Sequence, residues 1–135
     1  MSYTARSQER GDAPFDPELR AALAVIGGVF PPTVTRELIP FMRRSCASPP
    51  REELLDGRDV GVEEIEIPVP GATLGASIVR PSSGTAGAGI LLLHSGGMMF
   101  GDRFSGADHA LGWVEDFGVA LLTVDYRLAP EHPDP

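Results

Sequence analysis

The residues best suited to chemistry lie in one stretch, Gly89 to Gly101, which reads Gly-Ile-Leu-Leu-Leu-His-Ser-Gly-Gly-Met-Met-Phe-Gly. An apolar run gives way to a histidine, a serine and a glycine pair, and glycines beyond the end of a strand let the backbone approach a ligand closely. Three chemistries use such a turn, and they ask for different residues. A Walker-type phosphate loop closes on Gly-Lys-Ser/Thr, but the chain contains no lysine. A dinucleotide fold needs glycines at set spacing and an acid ending the next strand. Gly96, Gly97 and Gly101 are badly spaced for it, although Asp125 does close the next apolar run. An oxyanion hole needs two adjacent backbone N–H groups aimed at one developing negative charge, with no side chain in the way. Gly96 and Gly97 supply such a pair.

The neighbouring side chains have bland readings beside functional ones. Ser95 invites a role as nucleophile, but an activated serine between strand and helix sits in a Gly-x-Ser-x-Gly elbow, and Ser95 lacks the preceding glycine, Leu93 standing in its place. Met98, Met99 and Phe100 suit an acyl or alcohol pocket, thioethers being adaptable and aromatics shape-defining, and suit a packed core equally well. Asp125, Arg127 and Glu131 read as an ion-pair and turn system, because an acid beside an arginine stays ionised and paired. His109, His132 and Cys46 have no spacing that suggests shared metal ligation.

His94-Ser95-Gly96-Gly97 resembles the His-Gly-Gly-Gly oxyanion motif of lipases and esterases on the α/β-hydrolase fold. Downstream, Val124-Asp125-Tyr126-Arg127-Leu128-Ala129-Pro130-Glu131-His132-Pro133 resembles the segment after the next strand in the hormone-sensitive-lipase-like esterases. The resemblance covers Val60 to Pro135 closely, and Asp16 to Gly57 loosely as the family's N-terminal cap helices. It implies that Gly96 and Gly97 are the oxyanion donors and that Ser95 stands where the family has its first glycine. It further implies that His94 holds the loop by hydrogen bonds, that the substrate is a small uncharged acyl ester, and that no metal or organic cofactor takes part. The fold's chemistry needs a serine on an elbow, an acid and a histidine, in that chain order. None occurs in the 135 residues. The expectation is therefore the N-terminal portion of a longer carboxylic-ester hydrolase, inactive alone, whose partner is the missing C-terminal half of the same domain. A non-catalytic binding module on this scaffold and a dinucleotide-binding domain remain open as alternatives.

The elements that position this loop can be read from pattern. Residues 1–13 read as a flexible arm, 14–57 as a helical cap segment, and 58–135 as an incomplete α/β core. Asp16-Pro17-Glu18 places a capping carboxylate, a proline where no N–H is needed and an acid at a helix start. That helix should run to about Gly27, with Leu19, Leu23 and Ile26 on its packing face. A second helix over 33–46 must kink or divide at Pro40, and a third opens at Ser48-Pro49 and ends at Gly57. Val60 to Val69 alternates, Ile65, Ile67 and Val69 against Glu64 and Glu66, as a strand with one wet face does. Pro70-Gly71-Ala72 turns it into Thr73 to Arg80, making an antiparallel hairpin. Ile90 to Leu93 has no polar alternation and predicts a central strand buried on both faces. A helix capped by Ser105 follows, with Ala110, Leu111, Val114 and Phe117 inward and Gly118 as its stop. Val119 to Val124 is then a parallel neighbour across a right-handed crossover. The fold class is α/β: a hairpin, then a parallel β-α-β unit, under cap helices.

A formal net charge of -8, from 11 arginines against 19 acids, argues against nucleic acid or an anionic membrane as partner. With one cysteine no internal disulfide forms, which suits a reducing compartment. No stretch is long enough to span a membrane. The expected location is cytoplasmic.

Overall fold

The computed structural model describes residues 16–26, 33–85 and 87–133. It falls into two units, one ending at Thr35 and one beginning at Arg36. The first contains helix α1 (Pro17–Ile26). Its start follows from Asp16, whose carboxylate accepts the N–H groups of Glu18 at 2.9 Å and Leu19 at 3.4 Å. Leu19 and Leu23, expected to pack, are exposed. The expected stop at Gly27 and the arm over 1–13 lie outside the described residues.

The second unit carries helices α2 (Ile39–Ser45) and α3 (Arg51–Leu54), strands β1 (Val60–Val69), β2 (Ala72–Pro81) and β3 (Gly89–Leu92), helix α4 (Asp108–Phe117) and strand β4 (Ala120–Val124). Over 33–46 the chain divides rather than kinks: a single 3-10 turn at Arg36–Leu38 precedes α2, and Pro40 sits in the first turn of α2, where its missing N–H costs nothing. The third helix is only four residues long, and Ser48 does not cap it; the Ser48 N–H donates instead to Asp102 at 2.8 Å.

The sheet order is β1-β2-β4-β3, with β1/β2 and β2/β4 antiparallel and β3/β4 parallel. Hairpin and parallel β-α-β unit are thus joined into one sheet, as the pattern predicts. Strand β1 pairs with β2 without a break from Val60 opposite Pro81 to Val69 opposite Ala72. An unbroken register means that Val62 and Ile65, three residues apart, point to opposite faces. Val60 and Val62 pack on the α4 side while Ile65 and Ile67 lie on the other, so neither face of β1 is simply wet.

The core lies between α4 and one face of the sheet. Leu111, Val114, Ala110 and Ala107 pack on Val79 and Leu121, with Phe104 and Leu54 closing the sides and Ile90 and Leu92 along the rim. Burial of side chains such as Leu111, at about 1.5–3 kcal/mol each, is what holds α4 to the sheet. Phe117, expected inward, is exposed, because Gly118 turns the chain away through a left-handed C-cap at φ 67° and the inward places are filled by Phe104 and Ala107.

Two further expectations are overturned. Strand β3, at the edge of the described sheet, is not buried on both faces: Ile90 and Leu92 reach the core, whereas Leu91 and Leu93 are about 60% exposed. The apolar run reflects a face that no described element covers. Ser105 does not cap α4 either; the cap position is Ala107 and makes no side-chain bond. The Ser105 hydroxyl accepts the Asp102 N–H at 2.9 Å and reaches the Cys46 carbonyl at 3.3 Å, tying the loop before α4 to the end of α2.

Candidate active site

The glycine loop leaves β3 at its carboxyl end, where ligand sites form in parallel α/β sheets. Its shape depends on contacts that only glycine permits. At Gly96, φ is 124° and a Cβ would lie 2.2 Å from the Phe100 carbonyl oxygen. That approach lets the Gly96 carbonyl accept both the Met99 and Phe100 N–H groups, each at 3.1 Å, closing a tight turn. Gly97 at φ 60° and Met98, also at φ 60°, carry the backbone across the top of the turn. Gly101 closes the loop against His94: a Cβ there would meet His94 Nδ1 at 2.7 Å. Gly101 was not among the site residues expected from sequence, although its position after a turn was the signal available.

His94 is buried and held on three sides. Its Nδ1 lies 2.8 Å from the Ser95 carbonyl oxygen, which can only accept, so Nδ1 carries the proton. The Tyr126 hydroxyl donates to the His94 carbonyl at 2.7 Å, and the two rings stack with centroids 4.2 Å apart. Burial pushes the Tyr126 phenol pKa up, so the hydroxyl stays a donor at neutral pH. Through this stack the Val124 to Pro133 segment is locked to the loop. The Ser95 side chain is exposed and makes no hydrogen bond among the described residues.

The N–H groups of Gly96 and Gly97 have no acceptor among the described residues. Two unengaged adjacent donors on a rigid turn could stabilise an anionic oxygen. Next to them, a groove of about 440 Å³ is walled by Val69, Leu74, Leu93, Met98, Tyr126 and Arg127 along with His94. Of the three residues expected at a substrate pocket, Met98 lines this groove, Phe100 is buried elsewhere, and Met99 contributes its carbonyl to a contact with Arg43.

The strand-end acids have partners other than those the sequence suggests. Asp125 accepts the Arg103 N–H at 2.7 Å and faces its guanidinium at 3.4 Å, while Glu131 pairs with Arg43; Arg127 lines the groove instead. Arg103 also meets Glu64, which accepts from Ser77 and Arg51. Burial alone would raise the Glu64 pKa, but the Ser77 hydroxyl, Arg103 and Arg51 together hold it below the usual range. Asp102, accepting from Ser48 and Phe104, is likewise held low against the effect of burial. These anions tie the residues after the glycine loop to β1, β2 and the end of β4. Because Asp125 is engaged by Arg103, it is not poised to hold a ribose, and the dinucleotide reading fails on it. His109 and His132 are exposed, and among the described residues no cluster of His, Cys, Asp or Glu could hold a metal.

Comparison with known proteins bears on the fold and the reaction class of the relatives. Residues 90–135 match a family model of the alpha/beta hydrolase fold. Over 94 residues, 70% of the chain, it is 34% identical to the carboxylic ester hydrolase LipN of Mycobacterium tuberculosis, of which it spans 24%. Among solved structures it resembles a bacterial heroin esterase at 28% identity and TM-score 0.64, covering 89% of this chain and 38% of that one. An esterase of Pyrobaculum calidifontis matches at 27% identity and TM-score 0.62, over 90% of this chain and 38% of that one. The fold is that of the α/β-hydrolases. Within it, the relatives that the chain resembles are esterases, and the chain spans about a quarter to two fifths of their length.

Proposed function

We propose that the protein is a carboxylic-ester hydrolase in which this chain supplies the oxyanion hole through the N–H groups of Gly96 and Gly97. The observation that carries the proposal is the turn itself: two adjacent donors without acceptors, on a loop fixed by His94, Gly101 and Tyr126, beside an apolar groove. The esterases among the relatives support the reaction class. On this reading a serine outside these residues attacks the ester carbonyl, and a histidine oriented by an acid takes the serine's proton. The carbonyl oxygen becomes the anion that Gly96 and Gly97 hold, and the same proton passes to the departing alcohol. The nucleophile, acid and base come from a segment that completes the sheet beside β3. Ser77, the one serine two residues after a glycine in a strand, is fully buried and bonded to Glu64, which excludes it as the nucleophile. A small uncharged acyl ester suits the apolar walls, with Met98 against the acyl or alcohol group.

The test is hydrolysis of a short-chain chromogenic ester by the full-length protein, and by a semisynthetic form in which glycolic acid replaces Gly97. That exchange removes one N–H and keeps the backbone path. Proline would be a poorer probe, since it cannot adopt the φ of 60° found at Gly97. The expected loss is about 10²–10³ in kcat, or roughly 2.7–4 kcal/mol, with KM little changed. An unchanged kcat would remove Gly97 from the hole. A folded full-length protein that binds esters without turning them over would favour the binding-module alternative.

A further inference from the structure

We propose that Arg43, on α2, is a positioning residue for the oxyanion hole, acting through the carbonyl of Met99. The inference rests on the esterase reading and adds to it a residue outside both glycine loop and strand-end motif. The guanidinium forks onto two chain segments at once. Its Nε donates to the Met99 carbonyl at 3.0 Å, two residues past Gly97, and Nη2 donates to the Ala129 carbonyl at 3.0 Å. Nη1 and Nη2 also clasp the Glu131 carboxylate at 2.9 and 2.7 Å. Four of the five guanidinium N–H bonds are thereby used, in the planar geometry that only arginine offers.

The connection to the hole is short. The Phe100 N–H donates to the Gly96 carbonyl, so the Met99–Phe100 peptide closes the hole's turn with its N–H and is held at its carbonyl by Arg43. Met98 bonds the same neighbour, its carbonyl accepting the Ala129 N–H at 2.9 Å. Loop and strand-end segment are therefore paired directly and then clamped from α2. Met98 at φ 60° is a backbone state that an L-residue keeps only when its surroundings impose it; from outside the loop the Ala129 N–H holds its own carbonyl and the Arg43 fork holds the next one. Glu131 holds the fork in register: the Arg43 hydrogen bond lowers the Glu131 pKa to about 2, so the carboxylate is charged at any assay pH. A displacement of α2 would move the Met99 carbonyl and reorient the Gly96 and Gly97 donors. The helical segment before the sheet thus becomes part of the catalytic geometry without touching substrate.

The experiment compares wild-type full-length protein with Arg43→Met, Arg43→Lys and Glu131→Gln, measuring kcat and KM on a chromogenic ester together with amide exchange of residues 96–101. Arg43→Met should lower kcat about 10- to 100-fold with KM within about threefold, the signature of misplaced transition-state donors. It should also speed exchange across 96–101. Arg43→Lys keeps charge but not the fork and should recover only part of kcat. Glu131→Gln leaves both carbonyl bonds possible and should lose least. A fall in melting temperature with kcat per folded molecule and loop exchange both unchanged would assign Arg43 to folding alone and overturn the proposal. Should Arg43→Met fail to fold, the ordering of Arg43→Lys and Glu131→Gln decides the matter in the same way. If wild-type protein hydrolyses no ester, the esterase reading falls separately, and the exchange arm still shows whether Arg43 orders the loop.

Discussion

Alanine at Gly96 and alanine at Gly97 should have unequal effects, although the residues are adjacent and identical. At Gly96 the added Cβ would lie 2.2 Å from the Phe100 oxygen, 2.8 Å from its carbonyl carbon and 3.3 Å from its Cα, where ordinary contact begins at 3.4 Å. All three are backbone atoms, so no side chain can swing aside. Phe100 is buried, its N–H is bonded to Gly96, and Arg43 holds the Met99 carbonyl. Relief requires the turn to open by about 1 Å, and a displacement of that size at a catalytic group costs on the order of 10²-fold in rate. At Gly97 nothing lies within 4 Å of the added methyl. Only the left-handed backbone resists it, at roughly 1–2 kcal/mol of stability. In the full-length protein Gly96→Ala should therefore lower kcat for a short-chain chromogenic ester about a hundredfold with KM within about threefold. Gly97→Ala should lower kcat by less than about tenfold while reducing thermal stability. Equal losses in the two variants, or a Gly96→Ala enzyme with wild-type kcat, would refute the placement of the hole on this turn.

Three further outcomes follow from the same contacts. Tyr126→Phe removes the bond to the His94 carbonyl but keeps the ring stack, and should cost about 0.5–1.5 kcal/mol by urea unfolding. Leu111→Ala empties the centre of the packing between α4 and the sheet and should cost about 2–5 kcal/mol in the same measurement. The Arg43–Glu131 pair should stabilise the fold most above the ordinary carboxylate value of 4.5 and lose that effect as pH falls toward about 2, because the folded-state pKa is the depressed one. The difference in unfolding midpoint between wild type and Glu131→Gln should shrink over that window; a difference constant from neutral pH to pH 3 would contradict the pairing.

What is legible in this chain divides by the range of the interaction behind it. Asp16 before Pro17, and Gly118 at the end of α4, are set by bonds within one turn, and both stand where the sequence places them. The hairpin and the parallel β-α-β unit also follow from pattern, while their order in the sheet does not. Errors begin where a residue's partner lies elsewhere. Ser105 has the chemistry of a cap but bonds to Asp102 and Cys46, and Ser48 likewise serves Asp102. Alternation in β1 hides a change of face between Val62 and Ile65, which becomes visible only when the register with β2 is known. At the candidate site the contrast is sharper. Gly96, Gly97 and His94 lie within four residues and read as one motif. Arg43 is separated from Met99 by 56 residues and from Glu131 by 88, in a helix without chemical pattern of its own. Two guanidinium bonds to main-chain carbonyls leave no complementary side chain at Met99 or Ala129 for a sequence to display. Groups that hold a catalytic backbone by its carbonyls are therefore the ones that a structure must supply, and the exposed Leu91 and Leu93 carry the same lesson in reverse. Their apolar character was plain, but only the sheet order shows which face it serves.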